Sequence, residues 1–315
     1  MTRPLGLVLG LALLTCGCSE PDSEPSAEDW KPVEGLPEAY AYGAVWSSGP
    51  EDAWVTADGG RVFHFDGSTW TEFALETTDM MQGIWAFGPD DMWMVGGQSL
   101  ARYDGTSWTV TDLRQEAPGI EGLTSIWGSS PSDVWVVGSQ STAAHWDGTT
   151  WVRQLAAGPD NTAVWGSGPN DVYTVSVFDV AHWDGSTWTT LEDDLLWGAD
   201  GVFGFGPDDV WLATGDEQLV HWDGLEWSEI EIDVFGGPST LWGTAPDDLW
   251  GVGSFGSIVH HDGREWHAVA EQALGSPYLR TFHRVHGSSA TDVWAVGSQA
   301  GEDGVVPLLW RYLPD

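Results

Sequence analysis

Imidazole and carboxylate recur in this sequence at a nearly constant offset. His64, His145, His182, His221 and His260 follow Asp52, Asp133, Asp171, Asp209 and Asp248 by eleven or twelve residues. Such pairs are the raw material of acid–base catalysis or of a metal centre. Each pair falls in a different copy of a repeat, and equivalent positions of successive copies are held apart, so no shared metal site is expected. The pairs read instead as polar networks within each copy. Other catalytic patterns are missing. The only cysteines are Cys16 and Cys18 near the amino terminus, and there is no Gly-x-Ser-x-Gly or His-Glu-x-x-His run. The arginines from Arg61 to Arg311 are scattered rather than gathered to clamp a carboxylate. Acidic residues are so abundant that no pair stands out for glycoside cleavage. Calcium has ligands in plenty but no Asp-x-Asp-x-Asp-Gly loop to place it. No catalytic residue, metal ligand or cofactor is therefore assigned.

Recognition chemistry has a clearer address. Phe178, Trp197, Phe235, Phe255 and Tyr278 stand in connecting segments that differ from copy to copy, interspersed with Asp79, Glu116, Asp193, Asp216 and Glu302. Aromatic rings among carboxylates suit sugar rings or the cationic groups of a protein. Of these, Phe178, Trp197, Asp216, Phe235, Phe255 and Tyr278 are the expected ligand-binding residues.

The elements that must position them follow from the repeat. Residues Ser125 to Val152 show it best: aromatic-Gly, Pro-x-Asp, an apolar run, then His-aromatic-Asp-Gly-x-x-Trp. The first landmark falls at Trp46, Trp85, Trp127, Trp165, Phe203, Trp242 and His286, spaced 39, 42, 38, 38, 39 and 44 residues apart. A period near forty marks a repeat array. Each unit reads as four short strands, at Ser125 to Ser129, Val134 to Val137, Ala143 to Trp146 and Thr150 to Arg153. Pro presets φ for the first turn, and Asp-Gly favours a tight hairpin at the last, with both residues suited to positive φ. Apolar runs such as Val134 to Val137 fit a sheet covered on both faces. Four-stranded sheets repeated radially make a β-propeller. The seventh copy stops after a third strand near Arg311-Tyr312, and the segment around Trp30 matches the missing fourth. The expected fold is thus all-β, a seven-bladed β-propeller whose N-terminal strand completes blade 7 and removes the open edges. Of the 23 Trp, 21 fall at strand positions as blade-to-blade packing. Trp197 and Trp310 lie off that register.

Two repeat families share parts of this pattern. Gly96-Gly97, Tyr103 and Trp108 resemble the kelch repeat, whose spacing is longer, while Asp-Gly-x-x-Trp is similar to the Asp-box of sialidase-like (BNR) repeats, where Asp and Gly are one residue apart. Both resemblances imply a propeller and neither implies an activity. Uniform turns make one face of the ring a scaffold, and varied loops make the other the recognition surface.

The amino terminus reads as an export segment. A positive Arg3 precedes ten apolar residues, Leu5 to Leu14, too few to span a bilayer. Gly17-Cys18 resembles the lipobox of bacterial lipoproteins, which implies lipid attachment at Cys18; Thr15 stands where that pattern has Leu, which leaves Cys16, after Leu14 and Thr15, as the alternative. Ser19 after it resembles the outer-membrane sorting pattern. Residues 1–17 are then a signal peptide, 18–29 an acidic Pro/Ser tether and 30–315 the propeller. Against 48 acidic residues stand 10 basic ones, a formal net charge of −38. So negative a chain is repelled by nucleic acid and anionic membrane surfaces. The expectation is a monomeric, non-catalytic recognition or scaffold propeller, lipid-anchored at the bacterial envelope and binding a protein or a glycan. The alternative is a carbohydrate-active enzyme with acids in the central pocket.

Overall fold

The computed structural model describes residues 25–156, 158–270, 280–301 and 304–314. These form seven four-stranded antiparallel sheets, with only single 3-10 turns between some strands. Blade 3 runs Leu123–Ser130, Asp133–Gly138, Thr142–Trp146 and Trp151–Leu155, each strand pairing with the next. Blade 7 draws Arg280–Ser289, Asp292–Gly301 and Gly304–Tyr312 from one end of the chain and Trp30–Pro32 from the other. Trp30 pairs with Tyr312, Lys31 with Arg311 and Pro32 with Trp310. Trp310 therefore belongs to the long third strand of that blade and is buried. Among the described residues no helix is long and apolar enough to cross a membrane.

Second strands are buried on both faces, and Val134, Trp135, Val136 and Val137 are inaccessible to water. Their aromatic side chains knit the ring. Trp135 meets Trp183 and Trp188 of the following blade at ring-centroid distances of 5.1 and 5.2 Å. Trp250 meets Trp30 and Tyr312 at 5.6 and 4.9 Å, and Trp294 meets Phe65 and Trp70 at 6.2 and 6.3 Å, so the same contact crosses the closure. Each such ring buries roughly 150–250 Å².

The aromatic-Gly pair of the first strand has a steric cause. A Cβ on Gly166 would lie 2.8 Å from the Trp127 ring of the preceding blade, and one on Gly287 2.7 Å from Trp242. The closing seam uses polar chemistry instead. His286 replaces the aromatic, Ser47 replaces the glycine, and the Ser47 N–H donates to His286 Nδ1 at 3.2 Å. Burial pushes His286 down to about 3, which keeps that nitrogen an acceptor.

The histidines bond within their own blades. Nε2 of His64, His182, His221 and His260 lies 2.7, 2.6, 2.8 and 2.9 Å from Asp52, Asp171, Asp209 and Asp248, and His145 pairs with Asp133 at 2.5 Å. Each imidazole also lies over the second-strand aromatic, at 4.0 Å for His64 on Trp54 and 3.9 Å for His221 on Trp211. Blades 2 and 7 keep the arrangement with arginine. Arg102 reaches Asp91 and covers Trp93, and Arg311 reaches Asp292 and covers Trp294. Burial opposes ionisation of Asp52, Asp133, Asp171 and Asp248, but hydrogen bonds from the histidine and a neighbouring Ser or Thr hydroxyl outweigh it and hold each carboxyl below its ordinary range.

The Asp-Gly hairpin differs from the expected two-residue turn. Phe65 pairs with Trp70, so four residues make the loop, and only the glycine takes positive φ. Asp66 keeps ordinary φ and uses its Oδ1 to accept from the N–H groups of Ser68 and Thr69 at 2.9 and 2.7 Å. The glycine is needed twice over. Gly148 has φ +89°, and a Cβ there would lie 2.8 Å from Cβ of Ser132, the middle residue of the Pro-x-Asp turn beneath it.

Candidate functional site

The varied loops gather the predicted aromatics into two places on one face of the ring. Phe178 sits in the loop between the second and third strands of blade 4, and Trp197 in the connection from blade 4 to blade 5. The Gly198 N–H donates to Val177 O at 2.9 Å, and the Asp193 carboxylate caps the short turn before Trp197 by accepting from Leu195 N–H at 3.0 Å. The two rings meet edge-on, centroids 6.4 Å apart at 89°. Phe178 keeps 54% and Trp197 66% of its surface exposed. Beside them lies a groove of about 490 Å³ bordered by Asp179, Glu192, Asp193 and Asp194.

Phe235 and Phe255 form the second pair, with centroids 4.8 Å apart. Phe255 holds φ +57°, uncommon for a residue with a bulky side chain. Gly236 lies beneath its ring, where a Cβ would come within 2.3 Å of Phe255 Cδ2. Asp216 and Glu217 border this groove of about 510 Å³, and Asp216 is exposed. Five of the six predicted binding residues, Phe178, Trp197, Asp216, Phe235 and Phe255, are thus brought into two aromatic–carboxylate grooves. Tyr278 and Cys18 lie outside the described residues. Asp79 serves its own loop instead, accepting from the Gln98 N–H and the Ser99 hydroxyl at 3.1 and 2.8 Å.

A third place was not singled out by sequence reasoning. First strands line the axis of the ring, so equivalent positions converge there, unlike the histidines on the outer strands. Two residues before the first landmark stand Ala44, Gly83, Ser125, Ala163, Gly201 and Thr240, all small, and in blade 7 Arg284. One residue earlier, Gln82, Thr124, Thr162, Asp200, Ser239 and His283 surround a cavity of about 260 Å³ at the loop-face mouth of the channel. Arg284 donates to the backbone carbonyls of His283 at 2.9 Å and Thr124 at 3.5 Å. Burial lowers the Arg284 pKa while Asp200 opposes the shift. Burial, then Asp216, raises the Asp200 carboxyl, and Arg284 opposes that. The wall of the channel, then Arg284, pushes His283 down although its ring is open to water. Aligning the seven copies on their first landmark would have exposed Arg284 as the odd member.

Among the described residues the axial cavity has one carboxylate in its wall, Asp200, where glycoside cleavage by paired acids needs two. Among the described residues no three His, Cys, Asp or Glu side chains gather to hold a metal ion.

No protein-family model matches the chain, and no curated protein matches it. Solved structures do. YCF48 bound to D1 peptide superposes with a TM-score of 0.68 at 18% identity, covering 93% of this chain and 100% of that one. YCF48 from Cyanidioschyzon merolae gives 0.67 at 15%, covering 90% and 99%. U3-55K gives 0.70 at 7%, covering 92% and 100%. At such identities the likeness establishes the class, a seven-bladed β-propeller.

Proposed function

We propose that this chain is a non-catalytic protein-binding propeller that takes a cationic, Lys- or Arg-bearing segment of its partner on the varied face. The observation that carries the reading is the pair of exposed aromatic couples, Phe178–Trp197 and Phe235–Phe255, each bordered by carboxylates. An aromatic face attracts a cation by about 0.5–2 kcal/mol, and the flanking acids add attraction while a net charge of −38 steers cations inward. The similar YCF48 structure holds a D1 peptide, which supports a peptide-sized ligand on such a ring. The kelch-like and Asp-box-like character of the repeats belongs to this proposal as architecture. So does the anchor: Cys18 carries lipid, residues 18–29 tether the ring, and the protein sits at the bacterial envelope, on the outer membrane by its Ser19.

Binding of peptide arrays to the full chain tests the ligand class. Lys/Arg-containing peptides are expected to be retained over neutral and acidic ones, and Trp197→Ala combined with Phe255→Ala to weaken retention about tenfold or more. Equal retention by the double variant sinks the reading, and retention of envelope glycans in place of peptides moves the site to carbohydrate. For the anchor, Cys18→Ala should free the protein from membranes; unchanged membrane retention rules out acylation there.

A further inference from the structure

The ring places one cation where its own pattern calls for a small side chain. At the channel-lining position six blades carry Ala44, Gly83, Ser125, Ala163, Gly201 and Thr240, which leave the axis open, and the seventh fills part of it with a guanidinium. In a chain with 48 acidic residues, four of the eight described arginines pair with carboxylates, while Arg153, Arg264 and Arg280 stand on other surfaces without one. Arg61 pairs with Asp58, Arg102 with Asp91, Arg114 with Asp112 and Arg311 with Asp292. Arg284 does not: among the described residues its hydrogen bonds go to two backbone carbonyls, and no carboxylate closes on it as an ion pair. A guanidinium carries five N–H donors in a planar fork, so donors are left over toward the cavity. Gln82 and Ser239 stand on the same rim and can add hydrogen bonds. A partly desolvated, unmatched charge is costly to keep unless something pairs with it.

We propose that the mouth of the axial channel is a carboxylate-binding site in which the Arg284 fork receives a carboxylate brought from outside the chain. The matching geometry is bidentate, two parallel N–H···O bonds, which arginine makes and lysine does not. Asp200 on the opposite rim disfavours any anion and so weakens the site. The cavity of about 260 Å³ admits either a small organic acid or one side chain or chain end of a peptide. The proposal does not rest on ligand binding in the aromatic grooves and stands whether or not they bind.

Acetate is the probe, with chloride at equal ionic strength and neutral acetamide as controls, followed by calorimetric titration and by thermal shift of the full chain. Acetate is expected to bind and to raise the unfolding temperature, and the controls to leave it unmoved. Arg284→Gln should weaken acetate about tenfold or more, as expected when a charged hydrogen-bond partner is removed. Arg284→Lys should keep a fraction of the binding, and Asp200→Asn should strengthen it. Trp197→Ala should leave it unchanged, which separates this site from the grooves. A short peptide with a free chain end, beside its amidated form, assigns the source: binding by the free form stronger than acetate places the carboxylate on a partner chain, and acetate stronger than either places it on a small acid. An acetate response equal to that of chloride or acetamide overturns the proposal, as does one that survives Arg284→Gln. Should that variant fail to fold, unchanged acetate affinity in Asp200→Asn overturns it as well.

Discussion

The two faces of the ring are built from the same strands and obey opposite rules. On the turn face, the Asp that opens each second strand has an assigned partner: Asp133 holds His145 and the Ser129 hydroxyl, and Asp292 accepts from Trp294, Arg311, Ser47 and Ser288. On the loop face, Asp216 is exposed, Asp200 is held above its ordinary range, and Trp197 presents most of its ring to water. The contrast teaches that the repeat spends its polar residues on stability at one end of each strand pair and releases them for recognition at the other.

The largest effect is expected where the turn face is most interlocked. Asp292 is 1% exposed, and Asp292→Ala would leave the half-buried Arg311 cation beside the ring closure with only the Pro50 carbonyl. Removing one partner of such a pair costs about 3–5 kcal/mol, to be read by chemical denaturation, and a loss of under about 1 kcal/mol would refute the interlocking.

Next comes Gly148→Ala, which forces a side chain into positive φ and against Ser132. Strain of this kind costs about 1–3 kcal/mol. The Trp197→Ala variant should melt with the parent, within about 0.5 kcal/mol, while losing peptide retention. A variant as destabilised as Gly148→Ala would erase the distinction between the faces.

Acid titration separates them by sign. Asp52, Asp133, Asp171 and Asp248 are lowered when folded. Their stabilisation is full above the unfolded carboxyl pKa of about 4 and fades as pH falls through the folded values. Asp200 is raised, so its contribution is present in acid and is lost as pH climbs from about 4 through its folded value. Unfolding temperatures between acid and neutral pH should therefore fall more steeply toward acid in Asp200→Asn than in the parent, and less steeply in Asp133→Asn. Parallel curves for all three proteins would contradict the assignment.

Much of the scaffold is legible in the sequence because each blade repeats the same local solution. Aromatic-Gly, Pro-x-Asp and Asp-Gly-x-x-Trp mark contacts that recur around the ring, and the likeness of Glu28 to Lys31 with Ser68 to Thr71 places Trp30 beside Trp70 in the pattern. Pairing of each histidine with the Asp after Pro follows from the same regularity. Two features escaped for a common reason: they depend on closure. His286 and Ser47 bond across the joint between the last blade and the first, and neither keeps the repeat's residue type. Arg284, Asp200 and Thr124 lie far apart in sequence and meet because first strands converge on the axis. Separation between equivalent positions, a sound inference for the outer strands, fails at small radius. Phe178 with Trp197, and Phe235 with Phe255, were expected as candidates one by one; their pairing depends on loop contacts such as Gly198 to Val177 and Gly236 under Phe255, which no local pattern announces.

The three-residue strand Trp30–Pro32, paired with Gly304–Tyr312, also sets a schedule. Nearly the whole sequence separates the partners, so their contact is among the most non-local the chain makes, and such contacts come late. At synthesis rates of about 5–20 residues per second, Trp30 waits tens of seconds for Tyr312, with blades 1 to 6 already able to form as an open arc. During that interval the arc presents two uncovered flanks, on blades 1 and 6, and a loose tryptophan. An escort that shields those flanks until the last strand emerges would govern yield without altering the finished molecule, and a cut close behind Trp310 would leave the arc unfinished for good.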